Sequence, residues 1–139
     1  MTSRRSRLAA ILKVAKMRED RTTAAHQRRL HEIEKARRLF IAAQHRAQPG
    51  EADSVDELRR QRAKSESSAR SALAAEERLV EQIEQSIEER NEMLSAMRHR
   101  RTVERIEDDH AKAWANLAAQ AAERALDDLA VAAWQRRQT

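Results

Sequence analysis

Cysteine is absent from the 139 residues, which excludes disulfide frameworks, thiolate zinc sites and cysteine nucleophiles. The chain has a single glycine, Gly50, and a single proline, Pro49. One glycine cannot furnish the phosphate-cradling loops, dinucleotide-binding turns or hairpin turns that need backbone tolerant of positive φ. Aromatics are almost as scarce: Phe40, Trp114 and Trp134 are the full set, too few for the bulky core of a compact domain this long. No long hydrophobic run occurs. The basic opening Met1 to Lys16 contains an apolar stretch, Leu8 to Leu12, far shorter than a signal-peptide core or a spanning helix. The expectation is a soluble, cytoplasmic product with no transmembrane segment.

What the chain has instead is helix-forming residues. Ala, Glu, Lys, Leu and Arg account for 82 of the 139, well past the half that marks coiled coils and long helices. Disorder is the competing reading, because Leu, Ile, Val and Phe together number only 23. Disorder also expects a large net charge, and +5 is small for this length. Periodicity decides between the two.

Pro49 and Gly50 sit together in Ala47–Ser54. Proline removes a donor and disfavours helical geometry before it, and glycine permits a reversal. Ser54-Val55-Asp56-Glu57 follows as a capping box, in which Ser54 accepts from the Glu57 amide and the Glu57 carboxylate reaches back to Ser54. One helix is therefore expected over about 5–46, a turn over 47–53 and a second helix over about 54–136. The fold class expected is all-α: an antiparallel two-helix coiled-coil hairpin with a long C-terminal helical overhang, forming one elongated hairpin over 1–139.

A 3–4 spacing runs through Leu8, Leu12, Ala15, Thr22, Ile33, Ala36, Phe40 and Ala43, interrupted by Glu19, His26 and Arg29. The middle of the seam should then be weak. In the second helix Ile83, Ile87, Leu94 and Met97 keep heptad phase around Arg90, with looser support from Leu58, Leu73 and Val80. After Met97 the apolar run Val103, Ile106, His110, Ala113 and Leu117 is displaced by two residues, which would turn the stripe by roughly 200°. At 1.5 Å per residue the first helix is about 63 Å long and the second about 125 Å, so roughly 40 residues should overhang. Charge favours antiparallel docking: residues 1–50 carry 13 basic and 4 acidic side chains, and residues 51–139 carry 15 and 19.

Catalytic signatures are missing. Glu107-x-x-His110 has metal-ligand spacing, but a di-metal bundle needs the motif twice, and His110 falls in the apolar phase as a half-buried seam residue. No serine lies in a nucleophile elbow. The expectation is a non-enzyme without metal or cofactor. Arg4-Arg5-Ser6-Arg7 and Arg98-His99-Arg100-Arg101 are the basic clusters, and a hairpin would bring Arg98–Arg101 near Leu8 as a positive patch. A solvated charged face, a dock for an acidic protein and, third, nucleic acid are the readings of that patch. A basic-zipper arrangement is missing.

From Val103 to Arg137 the chain is an alanine-rich helix on which Trp114, Leu117, Leu126, Leu129 and Trp134 stand out. Two indoles in so aromatic-poor a chain read as interface anchors, or as residues packed in a homodimer or against a folded-back helix.

Glu104-Arg105-Ile106-Glu107, Trp114, and Asp127-Asp128-Leu129-Ala130 followed by Trp134 and Arg136-Arg137 resemble the ending of the FliJ family, the coiled-coil protein of the flagellar type III export apparatus. The arrangement of a basic first helix, a break near one third and a longer second helix is similar as well. The chain departs from the family pattern before Asp127, where Ala121-Ala122-Glu123-Arg124-Ala125 stands in place of a strongly basic stretch. The resemblance implies a hairpin akin to the central stalk of rotary ATPases. Its implied partners are the hexameric export ATPase, the export-gate membrane protein and substrate chaperones, at the cytoplasmic side of the membrane-embedded apparatus. Injectisome stalk proteins are similar. The contact surface expected on this basis is Arg4, Arg5 and Arg7 at the N-terminus with Trp114, Asp127, Asp128, Leu129, Trp134, Arg136 and Arg137 in the second helix. The alternative is a basic coiled-coil adaptor or a polyanion-binding protein.

Overall fold

Two α-helices, α1 (Thr2–Ala47) and α2 (Val55–Gln138), make up the fold, packed against each other as an antiparallel hairpin. The computed structural model describes residues 2–48 and 50–138, with side chains from residue 7 onward. No strand occurs among the described residues. Pro49, expected to end the first helix, and the side chains of Arg4 and Arg5 lie outside the described residues.

The reversal is held by side chains rather than by unusual backbone. No described residue has positive φ, so Gly50 does not use its special freedom. A Cβ there would meet Gln61 Nε2 at 3.7 Å, an ordinary contact. At the start of α2 the Ser54 hydroxyl accepts from the Glu57 amide at 3.2 Å, as the capping box requires, and the Ser54 carbonyl accepts from the Leu58 amide at 2.9 Å. The return arm differs by one residue: Glu57 Oε2 accepts from the Asp53 amide at 3.2 Å, not from Ser54. Two longer ties close the turn. Gln61 Nε2 donates to the Glu51 carbonyl at 2.6 Å, and the Ser65 hydroxyl donates to the Ala47 carbonyl at 3.1 Å. The second satisfies a carbonyl that the end of α1 would otherwise leave without a helical partner. Charges agree with the helix dipoles: His45 and Arg46 close α1, Asp56 and Glu57 open α2, and Arg136 and Arg137 close it.

The chain forms two units, Met17–Met97 and Met1–Lys16 with Arg98–Thr139. In the first, the covered positions of α1 are Glu19, Thr22, His26, Arg29, Ile33 and Ala36, then Phe40, Ala43 and Ala47. Those of α2 are Gln61, Ser65, Ser68, Ala72, Ala75 and Leu79, then Gln82, Ser86, Glu89, Met93 and Ala96. Both series alternate steps of three and four, the knobs-into-holes repeat of a left-handed coiled coil. Ala96 is the most covered, at 1% exposure, with Ala43 close behind. Small residues at the seam let two backbones approach closely, and Phe40 is the bulkiest of the covered side chains. Two hydroxyls in the seam turn back on their own helices, whereas Ser65 reaches across to α1: Thr22 Oγ1 donates to the Arg18 and Glu19 carbonyls, and Ser86 Oγ to Ile83 at 2.7 Å.

The phase of α2 differs from expectation. Leu73, Val80, Ile83 and Ile87 are exposed, and the seam runs one residue before them. No slip follows Met97. In the second unit Leu8, Leu12 and Ala15 of α1 and Arg100, Val103 and Glu107 of α2 are covered at three-four spacing, with Val103 and Ala15 buried. Ile106, Ala113 and Leu117 are exposed, and so is His110, which is not a seam residue.

Candidate functional site

The interrupted middle of the α1 seam is a polar layer with its own partners. Arg29 enters between Gln82 and Glu89, one heptad apart on α2. Its Nη1 donates to Gln82 Oε1 at 2.7 Å, Nη2 to Glu89 Oε1 at 2.8 Å and Nε to the same oxygen at 3.1 Å. The hydrogen bond from Glu89 raises the Arg29 pKa above its ordinary value, against a smaller opposing effect of desolvation, with the Glu89 and Glu32 charges adding to the rise. Glu89 Oε2 and His26 Nδ1 are buried without hydrogen-bond partners. Orphaned polar atoms subtract from what the ion pair adds, so the layer chiefly fixes which residues face each other. A shift of α2 by one heptad would leave Arg29 facing different partners. Among the described residues no group of three or more His, Asp or Glu side chains could hold a metal ion.

The expected contact residues sit elsewhere. Arg7 is exposed in α1. Trp114, Asp127, Asp128, Leu129, Trp134, Arg136 and Arg137 all belong to α2 after Glu107, where every described residue but Ala132 is exposed. The indoles are 40% exposed at Trp114 and 60% at Trp134. Neither packs in a core or against a folded-back segment of this chain. Arg136 Nε donates to the Ala132 carbonyl at 3.4 Å.

Helical geometry distributes these residues around the whole circumference. At about 100° per residue, Trp114 shares a face with Ala118, Ala121, Ala125 and Asp128. Trp134 falls about 160° away, on a face with Asp127 and Ala130, and roughly 30 Å further along the axis. Leu126 and Leu129 occupy a third direction, between these two. The structure therefore places Asp127 on the Trp134 side, about 10 Å away along the axis, and Asp128 on the Trp114 side, about 21 Å away, and does not gather the set into one pocket.

The expected positive patch is smaller than its sequence suggests. Arg98 and Arg101 are exposed, but Arg100 is half-buried and bonded to Glu104 at 2.5 Å.

Sequence reasoning missed the Arg29–Gln82–Glu89 layer, although a signal was present: a lone arginine in the α1 phase, and glutamine and glutamate seven residues apart in the α2 series. No described helix is long and apolar enough to cross a membrane. Compared with known proteins, the chain matches no family model, no curated sequence and no solved structure.

Proposed function

We propose that this chain is a non-enzymatic, stalk-like component of a flagellar protein export apparatus. It docks on a hexameric export ATPase through the α2 segment after Glu107 and meets the export gate and substrate chaperones through its remaining surface. The observation that carries the reading is the circumferential spread of Trp114, Leu129 and Trp134 on a bare helix. A one-sided groove would engage a single apolar stripe. A helix with anchors on opposite sides suits a partner that surrounds it, as a ring of equivalent subunits does. Exposed aromatics at separated heights would each find a hydrophobic recess in such a pore, and the acidic residues Asp127 and Asp128 would meet basic lining residues. The resemblance at Glu104–Glu107 and Asp127–Ala130 supplies the identity of the ring. The location that goes with this reading is the cytoplasmic face of the export machinery, as a peripheral component.

Arg100 is engaged by Glu104, which leaves the polyanion-binding alternative fewer free cations in its central cluster. The test is direct. Purified chain added to the cognate export ATPase should promote hexamer assembly and raise turnover, and Trp134→Ala combined with Leu129→Ala should lose most of that effect while remaining helical. Unchanged assembly and turnover with the wild-type chain would overturn the proposal. A salt-sensitive shift of DNA or RNA in its place would favour the alternative.

A further inference from the structure

The Met17–Met97 unit leaves one long apolar stripe uncovered. It runs along α2 one position after each seam residue, from Ala69 to Met97. Leu73, Val80, Ile83 and Ile87 are exposed, the first and last by 57% and 56%, and Leu94 is half-buried. In an antiparallel pair, equivalent positions of the two helices lie on the same side, because the two-fold relating them is normal to the plane containing both axes. Exposed Leu30 and Ile41, each one residue after a seam position of α1, therefore border the same face. These side chains are too many and too regularly spaced to be scattered surface apolar residues.

Two polar residues interrupt the stripe, and they carry its information. Glu76 lies seven residues before Ile83 and Arg90 seven residues after it, and both are exposed. Neither makes an ion pair with another described residue. The apolar members mirror each other about the same point to within one residue: Val80 with Ile87, Leu73 with Leu94, and Ala69 with Met97. A surface that reads alike from both ends, with opposite charges at matching distances from its centre, is self-complementary under a two-fold rotation.

We propose that this face binds a second copy of the chain. The two α2 helices pack antiparallel with Ile83 on the two-fold axis, so that Glu76 of each copy meets Arg90 of the other. Parallel packing of the same stripe would set Glu76 against Glu76 and Arg90 against Arg90, which disfavours it. The stripe spans about 42 Å, and two helices side by side are about 20 Å wide, so the face covers roughly 800 Å² per copy. That is the extent a stable, specific association requires. The interface lies outside the segment after Glu107, so its failure and the failure of the export reading are separate events.

The absence of cysteine makes the test clean. Sedimentation of the full chain from micromolar to near-millimolar concentration should show a monomer–dimer equilibrium. Ile83→Cys should cross-link to itself on oxidation, whereas Leu73→Cys should not, because antiparallel packing holds the two copies of that residue about 30 Å apart. Glu76→Arg or Arg90→Glu alone should weaken the dimer about tenfold or more, and the two together should restore it. A chain that stays monomeric throughout overturns the proposal. So does efficient self-cross-linking of Leu73→Cys, or a double charge swap no better than either single one.

Discussion

The Met17–Met97 unit and the α2 segment after Glu107 are both built from α-helix, yet their side chains have opposite destinations. In the first, alanines and one phenylalanine are covered, and an arginine is held between a glutamine and a glutamate. In the second, leucines and tryptophans, far larger and more apolar, are covered by nothing in this chain. Size and hydrophobicity alone do not decide what is buried here. The seam of this unit is built mostly from small and polar residues, with Ile33, Phe40, Leu79 and Met93 as its larger apolar members, while other large side chains face outward. Alanine-rich helix holds its shape with little tertiary help, so the exposed segment can present its anchors without depending on them for folding.

The comparison breaks first at Phe40, the bulkiest covered side chain. Full burial makes Phe→Ala cost about 3–5 kcal/mol, and Phe40 is only half-buried, so Phe40→Ala should cost about 2 kcal/mol, read as a fall in melting temperature by circular dichroism. A loss no greater than that of an exposed leucine variant would mean that the seam does not hold the hairpin together.

Next in size is the polar layer. Glu89→Gln removes the charge that holds Arg29 and should lower the melting temperature by less than Phe40→Ala does. The pH dependence has a definite sign. Because the Arg29 pKa is raised on folding, its contribution is complete below the ordinary arginine range and is lost only as pH climbs beyond it. The difference between wild type and Glu89→Gln should accordingly be the same at pH 7 and pH 9. A difference that shrinks across that interval would remove Arg29 as the partner responsible. Smaller again is the cap. Ser54→Ala deprives the Glu57 amide of its acceptor and should cost about 1 kcal/mol, with faster hydrogen exchange confined to the first turn of α2.

These same residues show what a reader of the sequence can and cannot see. The break at Ala47–Ser54 and the cap are local chemistry, and the expected helices, 5–46 and 54–136, lie within three residues of Thr2–Ala47 and Val55–Gln138. The α1 seam is legible too, because Ile33, Ala36, Phe40 and Ala43 are its apolar members. The α2 seam is not. Its positions from Gln61 to Glu89 are filled by Gln, Ser, Ala, one Leu and Glu, and the larger apolar residues Leu73, Val80, Ile83 and Ile87 sit one place along. Hydrophobic periodicity follows the larger residues and so finds the face left open. The true phase depends on which α2 residues can take Arg29 and fit beside Phe40, a property of two helices together. The expected slip after Met97 arose from the same cause, since the Val103–Glu107 stretch only seemed displaced relative to the wrong stripe. For the candidate contact residues, their exposure was legible from an alanine-rich background, but their spread around the helix needed angular placement rather than spacing.

The smallest expected effect is the most informative about the second region. Trp134→Ala with Leu129→Ala deletes two of the largest apolar side chains in the chain. In a protein whose core they formed, that would be ruinous. Here both are exposed and only helix propensity is altered, in the favourable direction, so the stability read from thermal unfolding should stay within about 0.5 kcal/mol of wild type. On the export reading proposed above, the same variant should lose most of its effect on the ATPase. Unchanged folding with lost coupling would assign these residues wholly to partner contact. A large fall in melting temperature would instead mean that the indole and leucine are covered in the free protein, which would erase the contrast between the two regions.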